Sequence, residues 1–397
     1  MSSQLPPSIP PTHAAITILQ PNAPLQLTTF PTLAPPPGEA LIRVTHTAST
    51  PLDMHRAIGG VLLENHLQAR RPFIMGTTFG GIVAALGDDA TDGSKAHVKI
   101  GDKVFGFVLD GDDASAGHQE YATIPLWRIS RVPDNLPGGL SAAVTVPCNL
   151  VTAFHTIQAD LGLDLPWPVP PAGSAGPPKE AEAAVLVWGA ASSVGLFVVQ
   201  VLRHWGYGNV LAVAAGRHHG MLEGLGARAC FDYREEGVVE EIEKYVAAGE
   251  RAEGRPRVPY IIDCIGSLEG TLRPLVKIAE PGSKVAVMMP VINVHAEVDG
   301  QEPEYSMDVN TVFPGEWREG VELKGVRTFF YEKNEFFKNH LQPTIIPALL
   351  EQGVIQPNPQ TIVEGKTMLE RAQKALELLT RRAVSGEKLV WRVADDL

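Results

Sequence analysis

The pattern of apolar and polar positions changes character partway along the chain. From Ala14 to about Ser130, apolar residues come in short runs broken by Gly, Pro and Asp, such as Ala40–Val44 and Lys103–Val108. Short runs bounded by turn residues are typical of strands in a small sandwich or barrel. This stretch therefore predicts an all-β domain. The late apolar run Leu389–Val393 predicts a strand that returns to it.

A second pattern begins at Ala184. Ala184–Trp188 is a continuous apolar run, Val194–Trp205 has the length and pattern of a helix, and Val210–Ala215 is another apolar run. The alternation continues as far as Leu323–Phe330. Alternating strands and helices indicate a doubly wound parallel sheet. The chain is therefore predicted to be α/β, with a β domain followed by a Rossmann domain.

The turn between the first of these strands and its helix is the first candidate binding site. Small side chains there let the backbone approach a pyrophosphate, and the helix N-terminus offers it free N–H groups. The turn is not the full G-x-G-x-x-G, because serines stand where the middle glycines often lie, so an ordinary turn that binds no nucleotide stays possible. The candidate cofactor-binding residues are Gly189, Ser192, Ser193, Val194 and Gly195.

Composition and charge exclude several classes of partner. The chain has 397 residues, 44% of them hydrophobic, and a net charge of −12 with no long basic block, which argues against nucleic acid or an anionic membrane. No apolar run approaches the roughly 20 residues of a membrane helix, and we expect no secretory signal. Three scattered cysteines, Cys148, Cys230 and Cys264, argue against a disulfide framework or a cysteine-rich metal site. We expect a cytoplasmic protein.

Several motifs, taken in order, resemble one family. The chain is similar to the medium-chain dehydrogenase/reductases over nearly its whole length, and most similar to their quinone-oxidoreductase-like branch and to fungal trans-acting enoyl reductases. The resemblance implies a GroES-like domain over residues 1–150 and 331–397, and a Rossmann domain over residues 151–330. It rests on Met75–Val83, Gly101–Gly106, Gly117–Tyr121, Gly189–Gly195 and Leu225–Ala227.

The family's zinc enzymes differ from this chain at their metal ligands. They carry G-H-E where this chain has Gly76-Thr77-Thr78, and their catalytic cysteine has no counterpart within Ala48–Asp53. Zinc needs about four N, S or O ligands in suitable geometry. The remaining histidines, such as His46, His55 and His118, are expected to be polar surface or turn residues. The prediction is an enzyme without zinc.

The resemblance also implies the catalytic residues. Thr50–His55 matches the N-P-x-D-W-K segment that lies along the cofactor in relatives, which makes Pro51 and Asp53 cofactor-binding residues and puts His55 at the family's lysine. Thr152 falls on a threonine near the nicotinamide. Thr152, His55 and backbone N–H groups are therefore candidates to stabilise negative charge on a substrate oxygen. No acid–base pair can be placed, and the resemblance implies that solvent can supply the proton, so the proton donor is left open.

The end of the second Rossmann strand bears on which nicotinamide is bound. NAD-specific domains usually place Asp or Glu about 20 residues past the glycine turn, but Ala214–His219 contains no acid and does contain Arg217. Arginine can hold a 2′-phosphate, and the resemblance adds Tyr233 at the same phosphate. Gly216, Arg217, His218 and Tyr233 are therefore predicted to bind NADPH. Arg217 as a solvated loop charge and Tyr233 as a hydrophobic anchor are the alternatives.

Three functions follow from the resemblance. The first is NADPH-dependent reduction of a conjugated C=C in an enone or enoyl thioester, with an acyl carrier domain of a polyketide synthase as a candidate partner. The second is reduction of a quinone or carbonyl, and the third is NADPH binding without catalysis. Monomer and homodimer stay open. The Pro-rich stretch 160–182 is either a surface insertion or a loop that shapes the substrate entrance.

Overall fold

The computed structural model describes residues 8–88, 97–108, 113–170, 176–249, 254–296 and 301–394. The chain forms two compact units. Unit 1 comprises Met1–Cys148, Ala296–Glu302 and Glu332–Leu397, and unit 2 comprises Asn149–His295 and Pro303–Tyr331. The unit borders after residues 148 and 331 lie within two residues of the domain borders that the resemblance implies, after residues 150 and 330.

The strands of the described residues follow in chain order. They are β1 Thr12–Ile18, β2 Gln26–Pro31, β3 Glu39–Ser49, β4 Phe73–Ile74, β5 Thr78–Leu86, β6 Lys103–Phe107, β7 Tyr121–Pro125, β8 Ser130–Arg131, β9 Val185–Trp188, β10 Val210–Val213, β11 Ala229–Phe231, β12 Tyr260–Asp263, β13 Lys284–Met288, β14 Val291–Val294, β15 Glu304–Ser306, β16 Glu322–Val326, β17 Gln360–Ile362 and β18 Lys388–Arg392.

The helices of the same residues are α1 Pro51–Gly59, α2 Glu64–Ala69, α3 Gly139–Ala143, α4 Pro147–His155, α5 Ser193–His204, α6 His219–Leu225, α7 Val238–Ala247, α8 Arg273–Ile278, α9 Glu335–His340, α10 Ile346–Glu351 and α11 Met368–Thr380. Short π-helical turns span Thr156–Asp160, Leu268–Leu272 and Leu341–Ile345. A 3₁₀ turn spans Gly216–His218.

Unit 1 is built around the long strand β3. Its main sheet has the order β17-β18-β3-β5-β6-β8, β7 also pairs with β3, and β2-β1-β4 form a second sheet. β7 pairs with the first half of β3, and β18 pairs with its end, where Leu389 lies opposite Ser49. The return of the C-terminal strand is therefore confirmed. Phe79, Trp391 and neighbouring apolar side chains fill the core.

The expectation of an all-β first stretch was wrong in one respect, because α1 and α2 lie within it. The start of α1 has a recognisable local cause. Thr50 stands at the N-cap, Pro51 is the first helical residue, and the Asp53 carboxylate accepts a hydrogen bond from the Thr50 N–H (2.7 Å). Proline at the first position and an acid at the third favour a helix start, so the sequence held this signal.

Unit 2 is the expected doubly wound sheet. Its strands are all parallel in the order β11-β10-β9-β12-β13-β16. Strands buried on both faces are continuously apolar, as β9 and β10 are. Parallel strands place all their carboxyl ends at one edge, where the glycine turn and the Gly216–His218 turn both lie. This edge carries the candidate cofactor site.

The described parts of the Pro-rich stretch, residues 160–170 and 176–182, lie at the amino ends of the strands of that sheet. The Trp205 indole N–H donates to the Pro166 carbonyl (2.9 Å) and the Tyr207 hydroxyl donates to the Asp164 carbonyl (2.9 Å). Trp205 and Tyr207 precede β10, so they mark the amino ends of the strands. These described residues therefore lie at the amino ends of the strands, opposite the candidate cofactor site.

One helical stretch of the described chain, residues 139–160, is long and apolar enough to cross a membrane by length and composition alone. The sequence analysis expected no such stretch. Its most apolar window is 83% buried inside the protein, as in the core helix of a folded domain.

Candidate functional site

The glycine turn after β9 has the backbone geometry that its sequence predicts. Gly189 has a φ of +74°, and a Cβ placed on it would lie 2.6 Å from Ile265 Cγ1. A Cβ on Gly195 would lie 2.6 Å from the Cα of Ala190. Both positions therefore require glycine, the first for its conformation as well as for space.

The start of α5 supplies the anion-binding part of the turn. Ser192 is the N-cap, and its hydroxyl accepts a hydrogen bond from the Gly195 N–H (3.1 Å). Ser193 and Val194 are the first two helical residues. The helix presents main-chain N–H groups and the positive end of its dipole at the edge of the sheet, which suits a phosphate. The structure thus brings together the five residues predicted for this turn.

A buried carboxyl group that the sequence analysis missed supports the turn from the next strand. Asp263 ends β12, and its carboxylate accepts hydrogen bonds from the N–H groups of Ile265 (2.9 Å) and Gly266 (3.1 Å) and from the Thr271 hydroxyl (2.5 Å). Burial raises the pKa of Asp263 to about 6, against the lowering effect of these donors. The carboxyl group fixes the loop whose Ile265 side chain lies against Gly189.

Several arginine and histidine side chains lie near the carboxyl end of β10. Gly216, Arg217 and His218 form the 3₁₀ turn there, and Tyr233, 48% exposed, follows the neighbouring strand β11. The pKa of His218 is lowered by partial burial and by the charges of Arg217, Arg234 and His219. The residues predicted for the adenosine end of a cofactor therefore lie together, and Arg234 lies among them.

The same place also holds an acid that the spacing argument did not find. Asp232, just after β11, accepts hydrogen bonds from the N–H groups of Gly216 (2.7 Å) and Arg234 (3.0 Å). These two donors lower the pKa of Asp232. Counting residues from the glycine turn could not reveal an acid that a neighbouring strand supplies.

Thr152 has a hydroxyl partner within unit 2. It lies on α4, almost fully buried, with its hydroxyl 2.8 Å from that of Thr328. Either oxygen can be the donor. Thr328 was not predicted, because nothing in the sequence links two threonines so far apart.

The predicted cofactor-binding and catalytic residues of unit 1 lie on α1. Pro51 opens the helix, and the Asp53 carboxylate caps it with one oxygen while its other oxygen is buried without a hydrogen-bond partner. Asp53 is 2% exposed and His55 is also buried. Capping is the role that Asp53 shows, and its contact with a cofactor stays a prediction. His55 belongs to unit 1 and Thr152 to unit 2.

Two buried cations, Arg56 and Lys388, stand near Asp53. Arg56 and Lys388 are almost fully buried, and both face Asp53 and the Cys148 thiol. Burial lowers the pKa of Lys388 and raises that of Cys148. The Thr77 hydroxyl lies 3.9 Å from the Cys148 sulfur.

A zinc ion does not fit these residues. Across the described ranges, no group of three or more His, Cys, Asp or Glu side chains is placed to hold a metal ion. Thr77 offers a neutral hydroxyl where a ligand would stand, and two nearby cations would repel a dication. The expectation of surface or turn positions fails for His46, which lies within β3, and for His55, which is buried on α1. His118 is buried as well, with its ring edge-on to Trp391 at 4.8 Å between centroids.

A parallel sheet with a glycine turn at its carboxyl edge, in one chain with a β unit, defines a two-domain oxidoreductase that uses a nicotinamide cofactor. Residues 36–155 match the alcohol dehydrogenase GroES-like domain. The chain belongs to the medium-chain dehydrogenase/reductase family.

Among curated proteins, the chain is similar to the trans-enoyl reductase himH of Aspergillus japonicus, with 27% identity over 90% of each chain. It is 31% identical to the trans-enoyl reductase tazE of Aspergillus terreus, over 58% of this chain and 71% of that one. A mycobacterial protein solved with NADPH has a TM-score of 0.64 and 19% identity, covering 96% of this chain and 99% of the other. That likeness shows the fold.

Proposed function

We propose that this oxidoreductase uses NADPH to reduce the conjugated C=C of an enone or enoyl thioester, without zinc. The observation that carries the proposal is the Thr152–Thr328 hydroxyl pair, which offers hydrogen-bond donors in a protein whose described residues form no metal-ligand cluster. The two trans-enoyl reductases among its relatives support the same reaction.

The reaction places negative charge on one oxygen of the substrate. The hydride that the β-carbon receives comes from the bound nicotinamide. Charge then builds on the conjugated carbonyl oxygen and must be stabilised by a donor. In this proposal the Thr152 hydroxyl, next to that of Thr328, is such a donor, because a threonine hydroxyl can donate one hydrogen bond while it accepts others. The α-carbon takes its proton from solvent in this proposal.

The choice of NADPH rests on the charge at the end of β10. A 2′-phosphate carries about two negative charges, and Arg217 offers it paired, charge-assisted hydrogen bonds. The neighbouring cationic side chains add to the same potential. The NADPH complex of the mycobacterial structure supports this cofactor for the fold.

A product analysis tests the reaction. The protein is treated with a chelator, then incubated with NADPH and a conjugated enone or the matching acyl thioester. A saturated ketone or thioester supports the proposal, and an allylic alcohol would assign carbonyl reduction instead. Tight NADPH binding without a product from any substrate would favour the non-catalytic reading. Stoichiometric zinc in the active protein would contradict the zinc-free part.

Substitution of Thr152 tests the assigned donor. Thr152→Val keeps the volume and removes the hydroxyl, so we expect a fall in kcat of about 10²-fold, the usual effect of removing one such donor, with unchanged affinity for NADPH. Thr152→Ser should recover most of the loss. Thr311→Val, at an exposed 3₁₀ turn of the same unit, is the matched control. An equal kcat in Thr152→Val and the wild type would remove Thr152 from the mechanism.

A further inference from the structure

A cavity of about 360 Å³ lies at one edge of the parallel sheet, within unit 2. β16 is the last strand in the order of that sheet, and the segment Met307–Asn310 lies beside it as one wall of the cavity. The other wall consists of Leu323, Lys324, Gly325, Arg327 and Phe330. Proteins bind small organic molecules in pockets of about 300–1,000 Å³. The cavity is therefore large enough to hold one such ligand.

Four apolar side chains line the cavity, namely those of Met307, Val309, Leu323 and Phe330. Val309 is 2% exposed, and both Val309 and Leu323 pack into the hydrophobic core of unit 2. Met307 is 43% exposed, so its side chain lies at the solvent end of the wall. The apolar surface thus extends from the core to the protein surface, which suits an elongated hydrocarbon chain.

The charged side chains of the walls already have partners in the protein. The Lys324 ammonium lies 2.6 Å from Glu322 Oε1, and the Arg327 guanidinium donates to a main-chain carbonyl of the opposite wall (3.3 Å). The Asp308 carboxylate accepts hydrogen bonds from the main-chain and side-chain N–H groups of Asn310, both at 2.9 Å. A charged ligand would have to compete with these partners, so the cavity favours an uncharged one.

The cavity adjoins the hydroxyl pair assigned to the reaction. Thr328 directly follows Arg327 and stands two residues before Phe330, and consecutive Cα atoms are about 3.8 Å apart. The Thr328 hydroxyl lies 2.8 Å from that of Thr152. A substrate oxygen bound by Thr152 therefore brings the rest of its molecule within a short chain length of the cavity.

We propose that this cavity binds the acyl chain of the substrate beyond its conjugated C=C, and that Met307, Leu323 and Phe330 determine which chain lengths are accepted. The inference rests on the proposed enoyl reduction and assigns the part of the substrate that this reaction leaves open. The ligand class is an uncharged, mainly hydrocarbon chain of an enone or enoyl thioester.

A series of substrates of increasing chain length tests the ligand class. We would measure kcat/KM for the crotonyl, hexenoyl, octenoyl and decenoyl thioesters of N-acetylcysteamine with NADPH. Burial of one methylene group corresponds to about three- to fourfold in affinity. The value of kcat/KM should therefore rise by about tenfold for each added pair of carbons until the cavity is full. A profile that does not change with chain length would overturn the inference.

Two substitutions in the walls test the location. Met307→Trp places an indole at the rim, so the ratio of kcat/KM for the decenoyl thioester to that for the crotonyl thioester should fall by about tenfold or more. Phe330→Ala enlarges the cavity and should shift the preference toward longer chains. Ala247→Trp, at an exposed position of α7 beside the opposite edge strand β11, is the control and should keep the wild-type ratio. Equal ratios in the wild type and both wall variants would overturn the inference.

Binding measurements separate this inference from the proposed reaction. Saturated butanoyl and decanoyl thioesters have no C=C to reduce, so calorimetric titration with them reports on the cavity alone. Tighter binding of the decanoyl thioester that is lost in Met307→Trp supports the cavity, and a protein that binds in this way but reduces no enoyl thioester would contradict only the proposed reaction. Reduction of every enoyl thioester, with equal binding of the two saturated ones, would overturn the inference and leave the reaction standing. A change of oligomeric state in Met307→Trp, measured by light scattering, would assign the cavity to a contact between copies and overturn it as well.

Discussion

Asp160 and His155 lie close together without forming an ion pair near neutral pH. Asp160 ends the π-helical turn after α4, its side chain is 14% exposed, and its Oδ2 lies 3.8 Å from His155 Nε2. The same oxygen is buried without a hydrogen-bond partner. Burial raises the pKa of Asp160 to about 7 and lowers that of His155 to about 4. Both groups are therefore uncharged between about pH 4 and 7.

These shifts set how the free energy of unfolding depends on pH. Between about pH 4 and 7, folded Asp160 keeps a proton that the unfolded chain has lost, so its contribution to stability falls as the pH rises. His155 acts in the opposite sense between about pH 4 and 6.5, because there only the unfolded chain is protonated. Above about pH 7 the full cost of the buried carboxylate remains.

Asp160→Asn removes that cost. The shift of about three pKa units, from 3.8 to about 7, corresponds to about 4 kcal/mol when the carboxylate is fully ionised. Because the side chain is partly solvated, we expect a gain of about 2 kcal/mol at pH 8.5 and almost none at pH 4.5. Urea unfolding of the full chain at both pH values measures it.

Asp134→Asn is the control for Asp160→Asn. Asp134→Asn changes a carboxylate whose side chain is 95% exposed, so its effect should be small and nearly the same at both pH values. A gain for Asp160→Asn that is equal at pH 4.5 and pH 8.5 would refute the burial argument. A loss at pH 8.5 would show that the ionised carboxylate is stabilised by a partner such as the Lys324 ammonium, whose charge lowers the pKa of Asp160.

Two further substitutions test packing at the site and in unit 1. Gly195→Ala places a Cβ 2.6 Å from Ala190 Cα and from two carbonyl oxygens. We therefore expect the affinity for NADPH to fall by about tenfold or more, as measured by calorimetric titration. Gly220→Ala is the control, because nothing lies within 4 Å of a Cβ at Gly220. Gln342→Ala removes the two buried hydrogen bonds that the Gln342 amide makes with the N–H (2.6 Å) and the carbonyl (3.1 Å) of Phe107. It should cost about 2–4 kcal/mol in urea unfolding, and a cost as small as that of exposed Gln352→Ala would contradict this.

Local constraints made much of the fold predictable. The glycine turn could be predicted because close backbone packing at Gly189 and Gly195 leaves no room for a Cβ. Glycine is the residue without a Cβ, so the sequence itself shows this requirement. The parallel sheet could be predicted because its central strands β9 and β10 are fully buried and are unbroken apolar runs. The helix α1 was missed although Thr50, Pro51 and Asp53 marked its start, since apolar periodicity was given more weight than capping.

Other features depend on contacts between residues far apart in the chain. The Thr152–Thr328 pair and the approach of Lys388 to Asp53 exist only after strands and helices have packed. The Pro-rich stretch was recognised as irregular, but its place at the amino edge of the sheet is decided by Trp205 and Tyr207, which donate to its carbonyls. Neither side chain differs in the sequence from any other apolar anchor.

The acids of the site show why residue type and spacing were not enough. Asp263 is buried with three donors and has a raised pKa, whereas Asp232 is near the surface with two donors and has a lowered one. A rule that looks for an acid about 20 residues past the glycine turn counts along the chain, and the carboxylate that reaches Gly216 comes from across the sheet. What such an acid does for cofactor choice depends on whether its oxygens remain open to a ribose. Each oxygen of Asp232 accepts one main-chain hydrogen bond, and an ionised carboxylate oxygen can accept two. The pairing of β10 with β11 brings this charge to the turn, and no count along the chain contains that pairing.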